Sequence, residues 1–335
     1  MQKTRKIRIA LPSKGLLAEG SRQLLSNVGL PVYSPNPRQY IAAIPMLPDI
    51  EVIFQRPGDI VTSVRDGSVD FGITGRDIYL EKKDSNGKIL ELHSHLGFGK
   101  CTLNVIIPDD WKEINSLKEL RDFQESIQRP LKIATKFPYL TKTYFKTRMD
   151  VPIEIIQAEG ALETAPTVGY ADLIVDLIST GTTLRDNRLK KLPGGKVLDS
   201  EACLIANFQQ LKMNPNTYQM ATQLLEMIGA HLRGKENLAV FANVRARSED
   251  EISNKIFKKE VIGGLQGPTV SRIISREGES FFAIHIVVRK DELHKAISEL
   301  REIGGSGVVV SPVNYIFEEQ PMELIAMMTA MEEEK

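Results

Sequence analysis

The chain has 335 residues, 42% of them apolar and 26% charged, with 24 Gly and 17 Pro. That is material for two or three ordinary domains and excludes wholesale disorder or a fibrous repeat. Its 43 Lys and Arg balance 43 Asp and Glu, so no global field draws a polyanion, and without a long basic stripe no nucleic-acid partner is expected.

From residue 7 onward, short β-branched runs at 7–11, 51–55, 69–74 and 101–107 alternate with stretches of helical period. The first helix is predicted from Gly15 to about Val28, with Leu16, Leu17, Leu24, Leu25 and Val28 on one stripe and Gly29 as its stop. A second alternation follows: helix 116–123, strand 131–135, helix 138–149, strand 152–157, helix 161–168 and strand 172–177. Residues 196–207 read as strand that returns the chain to the first unit, and 215–232 as a bridging helix. The remainder reads β-α-β-β-α-β (238–246, 248–259, 268–275, 280–289, 290–303, 306–317), the order of a ferredoxin-like domain. The expected division is therefore lobe I at 1–107 and 196–212, lobe II at 108–195, a connecting helix at 213–236, and a last domain at 237–335.

The basic start, Lys3 to Arg8, runs directly into strand with no apolar segment and cleavage site, so no signal peptide is expected. Nor does any run reach the roughly 18 apolar residues of a membrane span. Cys101 and Cys203 lack CxxC or Cys/His spacing, and a reducing cytoplasm is expected.

Chemistry concentrates at predicted strand ends. Asp172 and Asp176 lie on an apolar strand that runs into Ser179-Thr180-Gly181-Thr182-Thr183, a turn offering hydroxyls, glycine and a helix start to a phosphate. The same residues also suit a plain helix cap. Glu159 and Glu163 sit four apart, as a functional pair or as acids favoured in a first helical turn. Lys14 and Gly15 follow the first strand, Arg56-Pro57-Gly58-Asp59 the second, and Gly75-Arg76-Asp77 the third, where open α/β sheets place ligands. Each is also compatible with an ordinary turn. The five His residues show no metal-ligand spacing.

Together these fragments resemble the ATP phosphoribosyltransferase family of histidine biosynthesis, in its long form with a C-terminal regulatory domain. The resemblance rests on Ile9 to Gly15, Arg56 to Ile60, Asp70 to Asp77, Ile133 to Lys136, Glu159 to Leu184 and Ser200 to Ile205. It implies an α/β fold: a two-lobed catalytic core like a type II periplasmic-binding protein, plus a ferredoxin-like regulatory domain. It implies transfer of the phosphoribosyl group of phosphoribosyl pyrophosphate to N1 of ATP with release of pyrophosphate, aided by Mg²⁺. Arg56, Glu163 and Asp176 would be the catalytic residues, with Asp176 on the ribose hydroxyls and also a candidate Mg²⁺ ligand. Substrates would be held by Lys14, Gly15, Gly75, Arg76, Asp77, Asp172 and the loop Ser179, Thr180, Gly181, Thr182 and Thr183. Histidine, as feedback inhibitor, would bind at Leu265, Gly267 and Thr269, with Gly304 to Val308, including Gly307, facing them. A homo-oligomer, dimer or hexamer, is implied. Leu16 stands where the family commonly has Arg, and Gly267 where Ser is usual. The competing reading is a two-lobed binding protein without catalysis, carrying an amino-acid sensor domain.

Overall fold

In the computed structural model, which describes residues 5–36, 39–83, 86–158, 160–178, 182–265, 267–274 and 280–333, the predicted alternation builds three sheets. The first lobe contains β1 (Ile7–Pro12), α1 (Leu16–Asn27), β2 (Ile41–Ala43), β3 (Ile50–Gln55), α2 (Pro57–Arg65), β4 (Phe71–Gly75), α3 (Arg76–Lys82) and β5 (Ile89–His93). β1 lies between β3 and β4, parallel to both. Every residue of β4 is buried, as expected of a parallel strand covered by helices on both faces.

The chain then crosses to a second sheet: β6 (Cys101–Pro108), α4 (Leu117–Ile127), β7 (Leu131–Thr135), α5 (Pro138–Arg148), β8 (Ile153–Gln157), a 3-10 turn at Leu162–Thr164, α6 (Ala165–Val168), β9 (Leu173–Ile178), α7 (Thr182–Asp186) and β10 (Leu189–Ser200). α4 is capped by Ser116, whose hydroxyl accepts from Glu119 N–H, while the Glu119 carboxylate reaches back to accept from Asn115 N–H. β11 (Ala202–Asn207) returns to the first sheet and lies antiparallel between β4 and β5. The sheet orders are β2-β3-β1-β4-β11-β5 and β10-β6-β9-β7-β8, two α/β lobes joined by two crossings, at 94–100 and at Ser200–Ala202.

This moves two expected boundaries. Strand 101–107 and residues 196–200 were expected in lobe I, yet β6 and β10 form one antiparallel ladder from Cys101↔Ser200 to Pro108↔Leu189, inside the second sheet. The Pro193-Gly194-Gly195 run does not end β10; the register shifts around Lys196 and the ladder resumes.

After α8 (Phe208–Met213) and the long α9 (Pro215–Glu236) come β12 (Asn237–Arg245), α10 (Glu249–Ile256), β13 (Thr269–Ile273), β14 (Phe281–Arg289), α11 (Leu293–Glu302) and β15 (Gly305–Pro312). Their order, β13-β14-β12-β15, is the ferredoxin-like one. Val240, Ala242, Ile284 and Ile286 pack with Ile252, Ile256 and Leu300, so both helices cover one face. A last helix, α12 (Met322–Glu333), follows. The chain divides into two compact units, Met1–Thr222 with Ala326–Lys335, and Gln223–Ile325. The division thus falls within α9 and not at 236/237, and the C-terminal helix from Ala326 counts with the lobes. No helix among the described residues is long and apolar enough to cross a membrane.

Candidate functional site

The parallel strands fix where a ligand can sit. β1, β3 and β4 all end at one edge of the first sheet, at Pro12, Gln55 and Gly75; β7, β8 and β9 end at one edge of the second, at Thr135, Gln157 and Ile178. Both crossings leave from those edges. Ala202 pairs with Gly75, Ser200 with Cys101, and Thr102 with Ile178. The two carboxyl edges therefore meet at the crossings, the usual place for a ligand in an open α/β sheet.

On the first lobe, a cavity of about 670 Å³ is lined by Ser13, Lys14, Gln39, Tyr40, Phe54, Gln55, Arg56 and Asp59. Gly15, at φ +78°, turns the chain into α1 and leaves open space where a Cβ would stand, so backbone is presented there. Lys14 and Arg56 are exposed, as the sequence reading requires. A third cation, Arg22, stands with its guanidinium carbon 4.3 Å from the Phe54 ring centroid. It lies on the helix that begins with Leu16, and its approach to a β3 residue leaves no signal in local spacing.

The Gly75 turn is different. Arg76 is committed to Glu91, at 2.7 and 3.4 Å. Asp77 is 4% exposed. Its carboxylate accepts the Ser200 hydroxyl at 2.7 Å, and its N–H donates to that oxygen at 2.9 Å. Burial raises its pKa above the usual range. These two expected substrate contacts are thus internal ties that hold α3 to β5 and to a crossing. A Cβ on Gly75 would meet Asp77 Oδ1 at 2.5 Å. Beside this tie, a second cavity of about 500 Å³ is lined by His95, Lys100, Cys101, Thr102, Ile178, Lys191, Asp199, Ser200 and Glu201. His95 Nδ1 is 3.2 Å from Glu201 Oε1. Burial pushes the Cys101 thiol up to about 11, so it is protonated at neutral pH.

On the second lobe, Asp176 is half-buried near the end of β9. Burial raises its pKa and the Glu163 carboxylate adds to the rise, while its own Leu177 N–H and the Lys136 ammonium oppose it. Asp176 therefore feels the charge of Glu163 and that of Lys136, which follows β7. Asp172 is a correction. It precedes β9, at the end of the strand away from the crossings, where it binds Arg129 at 2.6 and 2.7 Å and accepts Lys132 N–H at 2.8 Å. These bonds lower its pKa. It anchors the start of the strand and is not at the ligand edge. Glu159, Ser179, Thr180 and Gly181 lie outside the described residues; Thr182 and Thr183 open α7.

In the C-terminal unit, Leu265 and Thr269 are exposed on and after the turn that precedes β13. Gly267 has φ +101°, a conformation strained for any L side chain, so its backbone is one that a serine would not adopt readily. Gly307, expected to face this segment, does not. β13 and β15 are the two outer strands, with β14 and β12 between them, a separation of about 14 Å at normal strand spacing.

Residues 56–230 match the family described as HisG, ATP phosphoribosyltransferase, and residues 235–315 match the HisG C-terminal domain. ATP phosphoribosyltransferase 2, chloroplastic, of Arabidopsis thaliana is 42% identical over 321 residues, covering 94% of this chain and 78% of that protein. The ATP phosphoribosyltransferase of Methanosarcina barkeri is 36% identical over 313 residues, covering 92% and 99%. Among solved structures, the ATP phosphoribosyl transferase (HisG:HisZ) complex from Thermotoga maritima aligns with a TM-score of 0.52 at 25% identity, over 67% of this chain and 98% of that one. With both matched regions lying on the lobes and sheets just described, the chain belongs to the ATP phosphoribosyltransferase family, in its long form with a C-terminal domain.

Proposed function

We propose that this protein transfers the phosphoribosyl group of phosphoribosyl pyrophosphate to N1 of ATP, releasing pyrophosphate, as the first step of histidine biosynthesis. The observation that carries the reading, alongside family membership, is the pairing of unlike carboxyl edges: exposed cations on the first lobe, and the half-buried Asp176 carboxylate near the end of β9 on the second. A substrate held by its polyphosphate and another held by its ribose hydroxyls fit such a division. Lys14, Arg56 and Arg22 take the triphosphate of ATP, Gly15 presents backbone, and the 179–183 loop takes the 5-phosphate. Asp176 accepts ribose hydroxyls, as a carboxylate does better than an amide. Glu163 stands by the cationic anomeric carbon. The work is alignment and electrostatic stabilisation, with no strong protein base.

Among the described residues no three His, Cys, Asp or Glu gather as a metal cage. The half-buried Asp176 carboxylate, a hard oxygen donor near the end of β9, suits Mg²⁺ arriving on a polyphosphate and is the candidate ligand. When bound, the ion neutralises charge on the leaving pyrophosphate. Histidine inhibition through Leu265, Gly267 and Thr269, and assembly as a homo-oligomer, belong to the same proposal. The test is incubation with ATP, phosphoribosyl pyrophosphate and Mg²⁺: pyrophosphate and a phosphoribosylated ATP are expected. Binding of both substrates with no pyrophosphate released favours the binding-protein reading instead.

A further inference from the structure

The first turn of α5 is capped from the other lobe. Phe137 is its N-cap residue and supplies no side-chain acceptor. The Phe137 N–H donates to the Thr135 hydroxyl at 2.9 Å, and Pro138 has no amide hydrogen. The next two donors, Tyr139 N–H and Leu140 N–H, go to Glu81 Oε1 at 2.8 Å and Oε2 at 3.0 Å. Glu81 stands on α3, in lobe I. One turn earlier on the same helix face, Ile78 packs against the apolar cores of both lobes. α3 thus carries an apolar contact and a carboxylate cap side by side, and burial raises the Glu81 pKa even though two N–H groups and Lys82 oppose it.

Each end of this bridge leads to the site. α3 begins at the Gly75 turn and is tied to a crossing through Asp77 and Ser200. α5 follows the turn that carries Lys136, whose charge acts on Asp176. A helix start that borrows its acceptors from the opposite lobe finds its protein acceptors at only one lobe separation and must turn to water at any other. Opening this edge by about 2 Å takes both bonds beyond hydrogen-bonding distance, and misplacing two reactants by about 1 Å can cost roughly 100-fold in rate. The geometry points to Glu81 as a positioning residue that sets how closely the two carboxyl edges approach, and so aligns the two substrates. This rests on the transferase reading above.

Glu81→Ala and Glu81→Gln in the full-length protein test it. In Glu81→Ala, amide exchange at Tyr139 and Leu140 is expected to rise at least about tenfold as the cap is lost. Turnover should fall about 10- to 100-fold, with both KM values, and the affinity for each substrate measured alone, within about twofold of wild type. Glu81→Gln keeps one carbonyl acceptor and should recover part of the turnover; it also serves if the alanine variant does not fold. Turnover within twofold of wild type while the amides are deprotected overturns the proposal, as does a loss that falls on substrate affinity instead of turnover. If wild type releases no pyrophosphate, the functional reading fails separately. The exchange measurement then decides alone: unchanged protection in both variants overturns the bridge, and lost protection supports it.

Discussion

Ser200→Ala removes one oxygen that serves two buried partners. The hydroxyl donates to the Asp77 carboxylate at 2.7 Å and accepts Asp77 N–H at 2.9 Å, with Ser200 5% and Asp77 4% exposed. A hydrogen bond to a charged group contributes about 1.5–3 kcal/mol, and a buried N–H left without an acceptor costs about 1–3 kcal/mol. Because one atom serves both, the losses overlap, and about 2–4 kcal/mol is expected in sum. At a slope of about 3 kcal/mol per M, that moves the urea midpoint down by about 1 M. Trp111, the single tryptophan, packs on Phe123 in the second lobe and reports the transition by fluorescence. Asp77→Asn is the companion: it keeps an acceptor for the hydroxyl and removes the charge that burial penalises. Since burial raises the folded pKa above 3.8, the penalty is absent when both states are protonated and complete above the folded value. The stability of wild type relative to Asp77→Asn should therefore fall as pH rises from about 4 towards neutrality. A Ser200→Ala loss below about 1 kcal/mol, or a pH trend of opposite sign, would mean that Ser200 and Asp77 do not form a buried, charged tie.

Asp176→Asn is expected to weaken phosphoribosyl pyrophosphate binding about 10- to 100-fold by calorimetry, the equivalent of one carboxylate's hydrogen bonds to ribose. Because the Asp176 pKa is raised, wild-type affinity should also decline towards acid pH before that of the variant changes. Asp172→Ala should leave that affinity within about twofold and instead lower the thermal midpoint by about 2–4 °C, matching one lost hydrogen bond to Lys132 N–H. Its contribution is present above pH 3.8 and disappears as pH falls through the depressed folded value. Thr269→Leu should retain phosphoribosyl transfer and lose inhibition by histidine, read as pyrophosphate release against histidine concentration. A folded, active variant inhibited at the wild-type concentration would place the effector elsewhere.

Apart from β2 and β5, which no predicted run covers, most strands and the ferredoxin-like order were legible because both depend on local period. β10 was not, since Pro193-Gly194-Gly195 carries the signature of a turn and only its partner β6 holds it as strand. The site was legible as a set of strand ends and obscure as a set of side-chain directions. Arg76 and Asp77 look like ligand-binding residues until Glu91 and Ser200 appear as partners, the second 123 residues away. Asp172 and Asp176 read as a pair, but four residues along a strand span about 13 Å, enough to put one at each end of the sheet. Lys136 acts on Asp176, and Arg22 stacks on Phe54, through tertiary proximity, which spacing does not encode.

The placement of β11 has a consequence for how the protein is made. All six of its residues are buried, and it fills the gap between β4 and β5, although the entire second lobe is synthesised before it. A nascent chain that has reached β10 holds a contiguous second lobe able to fold as it emerges, but a first lobe with an open slot flanked by two unpaired strand edges. Such edges invite pairing with other chains until the missing strand arrives. Ribosomal pausing or truncation before Ala202 should therefore yield aggregates seeded by the first lobe, and extension through Asn207, which closes the slot, should lower that tendency even before the rest of the unit, up to Thr222, is made. This inner strand acts as a late-shot bolt, and the order of synthesis makes the second lobe the scaffold on which the sheet of the first is completed.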